Sequence, residues 1–314
     1  MAVEEIKTEQ AAPALVFQQP VLDARTYINR ELSLIEYQKR LLDEAADERN
    51  PLLERIKLFA IVQANLDEFF MVRVSGIREQ VQAGVIEKSP DGMTPAEEVA
   101  AIREALIRLI PVMHDLFENR LRPALAAAGI VISEYADLAP EQREALCDYF
   151  ERMVFPVTTP LAVDTGHPFP HISNLSLNLA VELEDPEGRR YFARVKVPSV
   201  LPRLVPLPSN DGLDGRGQPA VYVWLDQLLA ANLDALFPQM HLLEIHPFRV
   251  IRDADLEIQE LEADDLLVTV ERSLSRRRFG STVALLVLPD MPPQIRALLA
   301  ENLELTDADI YTLP

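Results

Sequence analysis

The sequence predicts an α+β protein, an antiparallel helical bundle followed by a mixed α/β head domain. Three observations predict it. Apolar residues recur at steps of three, four or seven through the first third of the chain, the period shortens to two after Gly129, and the later strands and helices follow no βαβ regularity and no repeat. The expected organisation is a flexible leader over 1–24, rich in Ala, Gln, Pro and Glu, a helical domain over 25–128 and the mixed head over 129–314.

The first helix is expected from Ser33-Leu-Ile-Glu36, which has the form of a capping box, with Leu34, Ile35, Leu41, Leu42 and Ala45 as its apolar stripe and a turn at Asp47-Glu-Arg-Asn50. Asn50 as cap and Pro51 in the first turn open the second helix. Along it Leu52, Ile56, Phe59, Leu66, Phe70, Val74, Ile77 and Val81 share one face. Within that pattern Asn65-Leu66-Asp67-Glu68 also reads as a helix start, with an Asn cap and acidic residues in the first turn. The segment is therefore one long helix or two joined at Asn65. A third helical segment begins at the capping box Thr94-Pro-Ala-Glu97 and runs past a break or kink at Pro111 toward Gly129.

In the second half, Ile130–Ile132 reads as a short strand and 140–155 as a helix. Residues 176–184 alternate, with Leu177, Leu179, Val181 and Leu183 on one face, and Asp185-Pro-Glu-Gly188 turns the chain into a second strand over 191–197. That hairpin exposes an amphipathic face, Phe192, Arg194 and Lys196, suited to a partner. Further strands are expected at 221–224, 242–251 and 283–288, with helices near 226–236, 261–277 and 292–301 and a loop over 209–217.

Composition narrows function. The 314 residues are 48% hydrophobic and 25% charged, enough to bury cores in two domains. A formal charge of −20 argues against nucleic acid as a partner and against any bare polyanion as the main ligand of this portion, since a polyanion needs a cationic groove; Arg276, Arg277 and Arg278 are the local exception, a phosphate contact or a solvated helix end. Neither a membrane span nor a signal pattern is expected, and the single cysteine, Cys147, fits a reducing, cytoplasmic location with its side chain in packing.

No Gly-x-x-x-x-Gly-Lys-Ser/Thr and no strand-linked Gly-x-Gly-x-x-Gly occurs, so a nucleotide would be held by other means. A side-chain amide both donates and accepts, matching the mixed edge of adenine, which makes Asn65 a sensible base contact; the competing role is a helix cap. Arg73, two turns on, suits a phosphate contact or pairing with Asp67 or Glu68. His167 and His171 flank Pro-Phe-Pro, which prevents the helix that would align two metal ligands, and His241 and His246, five apart on a strand, are expected on opposite faces. His114, after the helix break, has no base or nucleophile beside it in sequence. No metal site is expected.

The words Glu31-Leu-Ser33, Asn50-Pro-Leu-Leu-Glu-Arg55, Asn65-Leu-Asp-Glu-Phe-Phe-Met-Val-Arg-Val74, Pro160-Leu-Ala-Val-Asp164, His167-Pro-Phe-Pro170, Ile172-Ser-Asn-Leu-Ser-Leu-Asn178 and Phe192-Ala-Arg-Val-Lys-Val-Pro198 resemble, in this order, the bacterial polyphosphate kinases that work through a phosphohistidine. The resemblance runs from about Tyr27 to the C-terminus. It implies a helical N-terminal domain and a head, followed in the family by two catalytic domains similar to phospholipase D that this chain does not include. The phosphorylated histidine, the magnesium-contacting arginines and most nucleotide contacts belong to those domains, so no catalytic residue is expected here and none of the five histidines takes that role. By the same resemblance Asn65 matches the asparagine that contacts the nucleotide. ATP is then a substrate, and magnesium belongs to the complete enzyme rather than to this half. ATP or ADP and polyphosphate are the partners of the whole, with a homodimer or higher oligomer formed through the head. The alternative is a non-enzymatic nucleotide-binding or assembly module that partners a separate catalytic half. Where the family reads Glu-Leu-Ser-Trp-Leu and then Phe-Asn, this chain has Leu34, Ile35, Tyr37 and Gln38.

Overall fold

The computed structural model describes residues 23–163, 169–207, 219–254 and 280–314. Five helices form the first part: α1 (Arg30–Ala46), α2 (Leu52–Glu68), α3 (Ser75–Gln82), α4 (Pro95–Leu116) and α5 (Arg122–Ala127). α1 starts three residues before the expected box, because the capping side chain is Asn29 rather than Ser33. Its Oδ1 accepts from the backbone N–H of Leu32 at 2.8 Å, while its Nδ2 donates to Asp91 at 2.6 Å and Glu98 at 2.7 Å. One buried amide thus caps α1 and ties it to the start of α4. Asn50 does not cap α2. Pro51 takes that position, and the Asn50 amide instead donates to the Glu44 carbonyl at 2.9 Å. The Thr94/Glu97 capping box on α4 is formed as expected.

At Asn65 the chain is one continuous helix. Beyond Glu68 it widens into a π turn over Phe69–Val74, which leads directly into α3. The extra residue in that turn buries Phe69 and Phe70 side by side, where a regular period would bury only one of them. No break occurs at Pro111 either. α4 passes through it because Pro111 is exposed, so the carbonyl that loses its partner faces water. A second π turn, Phe117–Leu121, joins α4 to α5, and Gly129 ends the helical run with φ +83°, a conformation that suits glycine.

The second part holds a six-stranded sheet of order β2-β4-β3-β7-β8-β9, with β2 (Pro160–Val163), β3 (Leu177–Glu184), β4 (Arg190–Lys196), β7 (His241–Arg252), β8 (Thr282–Val287) and β9 (Ile310–Thr312). The expected hairpin is β3–β4. β8 and β9 are parallel and are joined by α8 (Pro293–Asn302), a single βαβ crossover. A three-stranded sheet of order β1-β6-β5 pairs β1 (Ile130–Ser133) parallel to β6 (Ala220–Trp224), with β5 (Leu204–Pro206) antiparallel on its other side. Helices α6 (Pro140–Tyr149) and α7 (Leu225–Ala231) occupy regions expected to be helical; the expected helix near 261–277, the loop over 209–217, the leader and His167 lie outside the described residues.

Each face of the large sheet buries a different set. Leu179, Val181, Leu183, Ala193 and Val195 pack with Leu146 and Phe150 near α6 and Leu225, Leu228 and Leu229 of α7. Ala180, Phe248, Val250, Leu285 and Val287 face Ile295 and Leu299 of α8. The helical part completes the first of these faces. Ile251, Val283, Ala284, Leu286 and Tyr311 join Phe70, Val74, Ile77 and Leu106 in one cluster, and Phe70 meets Tyr311 edge to face at 5.2 Å between centroids.

Three corrections concern side-chain placement. The β4 face expected to await a partner is covered by the chain's own loop: Arg194 is buried and donates to Asn178, Lys196 reaches Ser173, and Phe192 stacks on Phe169. His241 and His246 share a face of β7, because a bulge between the pairs Glu182/Glu244 and Leu183/Leu242 adds one residue and reverses the parity. His114 lies within α4 rather than after a break. Cys147 is half-buried on α6.

Arg249 on β7 donates to both Asp67 oxygens at 2.8 and 2.7 Å, a bidentate bond between the bundle and the sheet. Replacing Arg249 by Met leaves the buried Asp67 carboxylate unpaired and is expected to lower unfolding free energy by roughly 2–3 kcal/mol in urea titrations, with the Asp67→Leu/Arg249→Met double variant recovering part of the loss.

Candidate functional site

A groove of about 340 Å³ opens between α1 and the α2–π-turn segment. Its apolar walls come from Leu34, Ile35 and Tyr37 on one side and Leu66, Phe69 and Val72 on the other; Gln38, Asn65, Glu68 and Arg73 supply the polar groups. The sequence brings these together through two helical repeats. Leu34, Tyr37 and Gln38 are three and four apart on α1, and Asn65, Glu68 and Phe69 have the same spacing across the end of α2. The π turn then brings Val72 and Arg73 onto the groove side, while Phe70 and Val74 are turned into the core.

Asn65 Nδ2 donates to Gln38 Oε1 at 3.1 Å, so two side-chain amides form a linked pair in the groove wall. Gln38 is buried, whereas Tyr37 is 50% and Leu34 38% exposed, leaving their surfaces open to a ligand. The positions at which this chain departs from the family pattern therefore line the groove.

Arg73 does not pair with Asp67 or Glu68. Its Nε lies 3.1 Å from both oxygens of Glu31, a buried residue of α1, and Nη2 also bonds that carboxylate. The hydrogen bond from Arg73 to Glu31 pushes the guanidinium above its ordinary value, against the opposing effect of burial. Asp67 is taken by Arg249. An arginine held in this way presents a fixed cationic edge at one end of an apolar, amide-bearing groove, an arrangement able to hold a flat ring with mixed donors and acceptors and to meet a nearby anion.

Of the residues singled out from the sequence, Asn65 and Arg73 line one groove, and Arg276, Arg277 and Arg278 lie outside the described residues. Sequence reasoning missed Glu31, Phe69 and Val72. Glu31 carries no sequence signal for its role, since its partner is 42 residues away. Phe69 and Val72 fall off the helical stripe and enter the groove through the π turn. Among the described residues no group of three or more His, Cys, Asp or Glu could hold a metal ion, and no helix is long and apolar enough to cross a membrane.

Comparison with known proteins gives a consistent result. Residues 27–133 match the family described as polyphosphate kinase N-terminal domain, and residues 141–314 match polyphosphate kinase middle domain. The polyphosphate kinase of Prosthecochloris aestuarii is 49% identical over 290 residues, covering 92% of this chain and 41% of that protein. That of Thermosynechococcus vestitus is 48% identical over 292 residues, covering 91% of this chain and 39% of the relative. The chain thus spans about two fifths of the length of these curated relatives. The crystal structure of polyphosphate kinase from Porphyromonas gingivalis superimposes with a TM-score of 0.72 over 91% of this chain and 39% of that one; at 24% identity this likeness establishes the fold alone. With both domain matches in order along nearly all of the described residues, the chain belongs to the polyphosphate kinase family, of which it carries the N-terminal and middle domains.

Proposed function

We infer that the groove takes the adenine end of ATP, as part of an enzyme that reversibly moves the terminal phosphate of ATP onto inorganic polyphosphate through a phosphohistidine located outside this chain. The observation that supports it best is the amide pair. With its Nδ2 bonded to Gln38, Asn65 has its amide oxygen left to accept from the exocyclic amine of adenine, and Tyr37, Leu34, Phe69 and Val72 provide apolar surface for the ring. Arg73, held by Glu31, stands where it would support the phosphate end.

The division of labour follows from charge. Phosphoryl transfer needs cations around the moving phosphate, usually magnesium with arginine or lysine. The groove offers one arginine already engaged by a carboxylate, and the described residues form no metal-ligand cluster. In this reading magnesium and the reactive histidine belong to the rest of the complete enzyme, this chain is inactive alone, the head supplies the contact for a homodimer or higher oligomer, and the enzyme works in the cytoplasm.

Two measurements test this reading. In the complete enzyme Asn65→Ala is expected to weaken ATP binding by about 1 kcal/mol, roughly fivefold in KM, with kcat little changed; an unaltered KM refutes the adenine assignment. The isolated chain given ATP and magnesium is expected to form no polyphosphate and to retain no labelled phosphate, and covalent labelling of this chain refutes the proposed location of the reactive histidine.

A further inference from the structure

The buried stripe of α1 consists of Glu31, Ile35, Gln38, Leu42 and Ala45. Ile35, Leu42 and Ala45 join the bundle core, and Glu31 is neutralised by Arg73. Gln38 is the remaining member, an amide only 6% exposed where the helical period calls for an apolar side chain. Burying an amide is costly unless it is hydrogen-bonded, and Gln38 is bonded to another amide: its Oε1 accepts from Asn65 Nδ2 at 3.1 Å. Both ends of that bond are anchored. Gln38 leaves α1 between the buried Ile35 and Leu42, while Asn65 precedes the buried Leu66 and Asp67, whose carboxylate is locked to Arg249. Gln38 is also one of the positions at which this chain departs from the family pattern.

Two side-chain amides can be joined in two ways. With Asn65 donating to Gln38, the Asn65 oxygen is left for the groove and the wall presents an acceptor. With Gln38 donating to Asn65 instead, Asn65 would turn its nitrogen to the groove and the wall would present a donor. The two arrangements suit different purines. Adenine carries an amine at position 6, a donor, whereas guanine and hypoxanthine carry an oxo group there, which would meet the Asn65 oxygen lone pair to lone pair. A site whose polar groups are fixed for one pattern rejects the other, because the mismatched groups are left unpaired.

We propose that Gln38 is a positioning residue that sets purine selectivity: by accepting from Asn65 Nδ2 it holds the Asn65 oxygen toward the groove, so that a 6-amino purine is taken and a 6-oxo purine is refused. The proposal rests on the adenine reading of the groove and adds the residue that decides the polarity of the contact. Gln38 acts through Asn65 and not on the nucleotide itself.

The test compares ATP with inosine triphosphate, its 6-oxo counterpart, as phosphoryl donors for the complete enzyme, read as the ratio of the two kcat/KM values. The unsubstituted enzyme is expected to favour ATP about tenfold. Gln38→Met keeps the length of the side chain and removes the acceptor, which frees Asn65 to turn; the ratio is expected to fall about fivefold, with the melting temperature at or above that of the unsubstituted enzyme because the position lies on an apolar stripe. Gln38→Glu, whose carboxylate can only accept, is expected to hold the ratio whatever its effect on the two KM values. A merely structural role would shift both nucleotides alike. An unaltered ratio in Gln38→Met overturns the proposal, as does a ratio in Gln38→Glu that falls as far as in Gln38→Met, or equal use of the two nucleotides by the unsubstituted enzyme. Should Gln38→Met not fold, Gln38→Leu makes the same comparison. Failure of the adenine reading is separately visible: an unaltered KM for ATP in Asn65→Ala removes both, whereas a raised KM there together with an unaltered ratio in Gln38→Met overturns the role of Gln38 alone.

Discussion

The structure depends on how one helical segment serves two surfaces. From Leu52 to Gln82 the chain is helical throughout, but the π turn at Phe69–Val74 rotates its later residues relative to a regular helix. Phe69, Val72 and Arg73 thereby line the groove, while Phe70 and Val74 enter the core shared with the sheet. The bidentate Asp67–Arg249 bond lies immediately before the π segment and joins the same stretch to β7. Groove and domain contact are therefore mechanically one object: a shift of the bundle on the sheet also shifts the groove wall.

Arginine carries much of the polar work at this junction. Arg78 pairs with Asp309 at 3.1 Å and donates to the Thr282 carbonyl, also at 3.1 Å; Arg103 donates to the Ile310 carbonyl and lies over the Tyr311 ring at 5.1 Å. Arg55 donates to the Ala45 carbonyl at 2.8 Å, satisfying the end of α1 from inside the bundle. Planar forks with several donors can satisfy strand and helix ends that apolar packing would leave unpaired, which explains buried arginines in an acidic protein. Arg194 and Arg252 follow the same pattern, giving their donors to Asn178 and to the Ile172 and Gly280 carbonyls.

Local chemistry made much of the fold legible. The Thr94/Glu97 box, the β3–β4 hairpin with its Asp185–Gly188 turn and the stop at Gly129 each depend on residues within a few positions of one another. The departures share another cause. Ser33 and Asn50 have the chemistry of caps, yet Asn29 gains a second role through Asp91 and Glu98, some sixty residues on, and Pro51 takes the cap position of α2. Pro111 does not break α4 because its exposed side costs little, and the β7 bulge reverses the expected relation of His241 and His246. At the site, Asn65 and the Leu34, Tyr37, Gln38 departures are legible as residues of interest, whereas Phe69 and Val72 are hidden by the π turn.

By itself the sequence determined the order and type of most elements, the family, and the face of each helix or strand that is apolar, because these follow from periods of 3.6 and 2 and from short capping and turn signals. Only the tertiary structure decided that β1 pairs with β6 and β8 with β9, that Arg73 belongs to Glu31 and Asp67 to Arg249, and that the buried Arg252 is satisfied by the Ile172 and Gly280 carbonyls. The physical reason is range: periodicity acts over a few residues, while the choice among many possible ion partners and strand neighbours is made when distant segments compete for the same buried space.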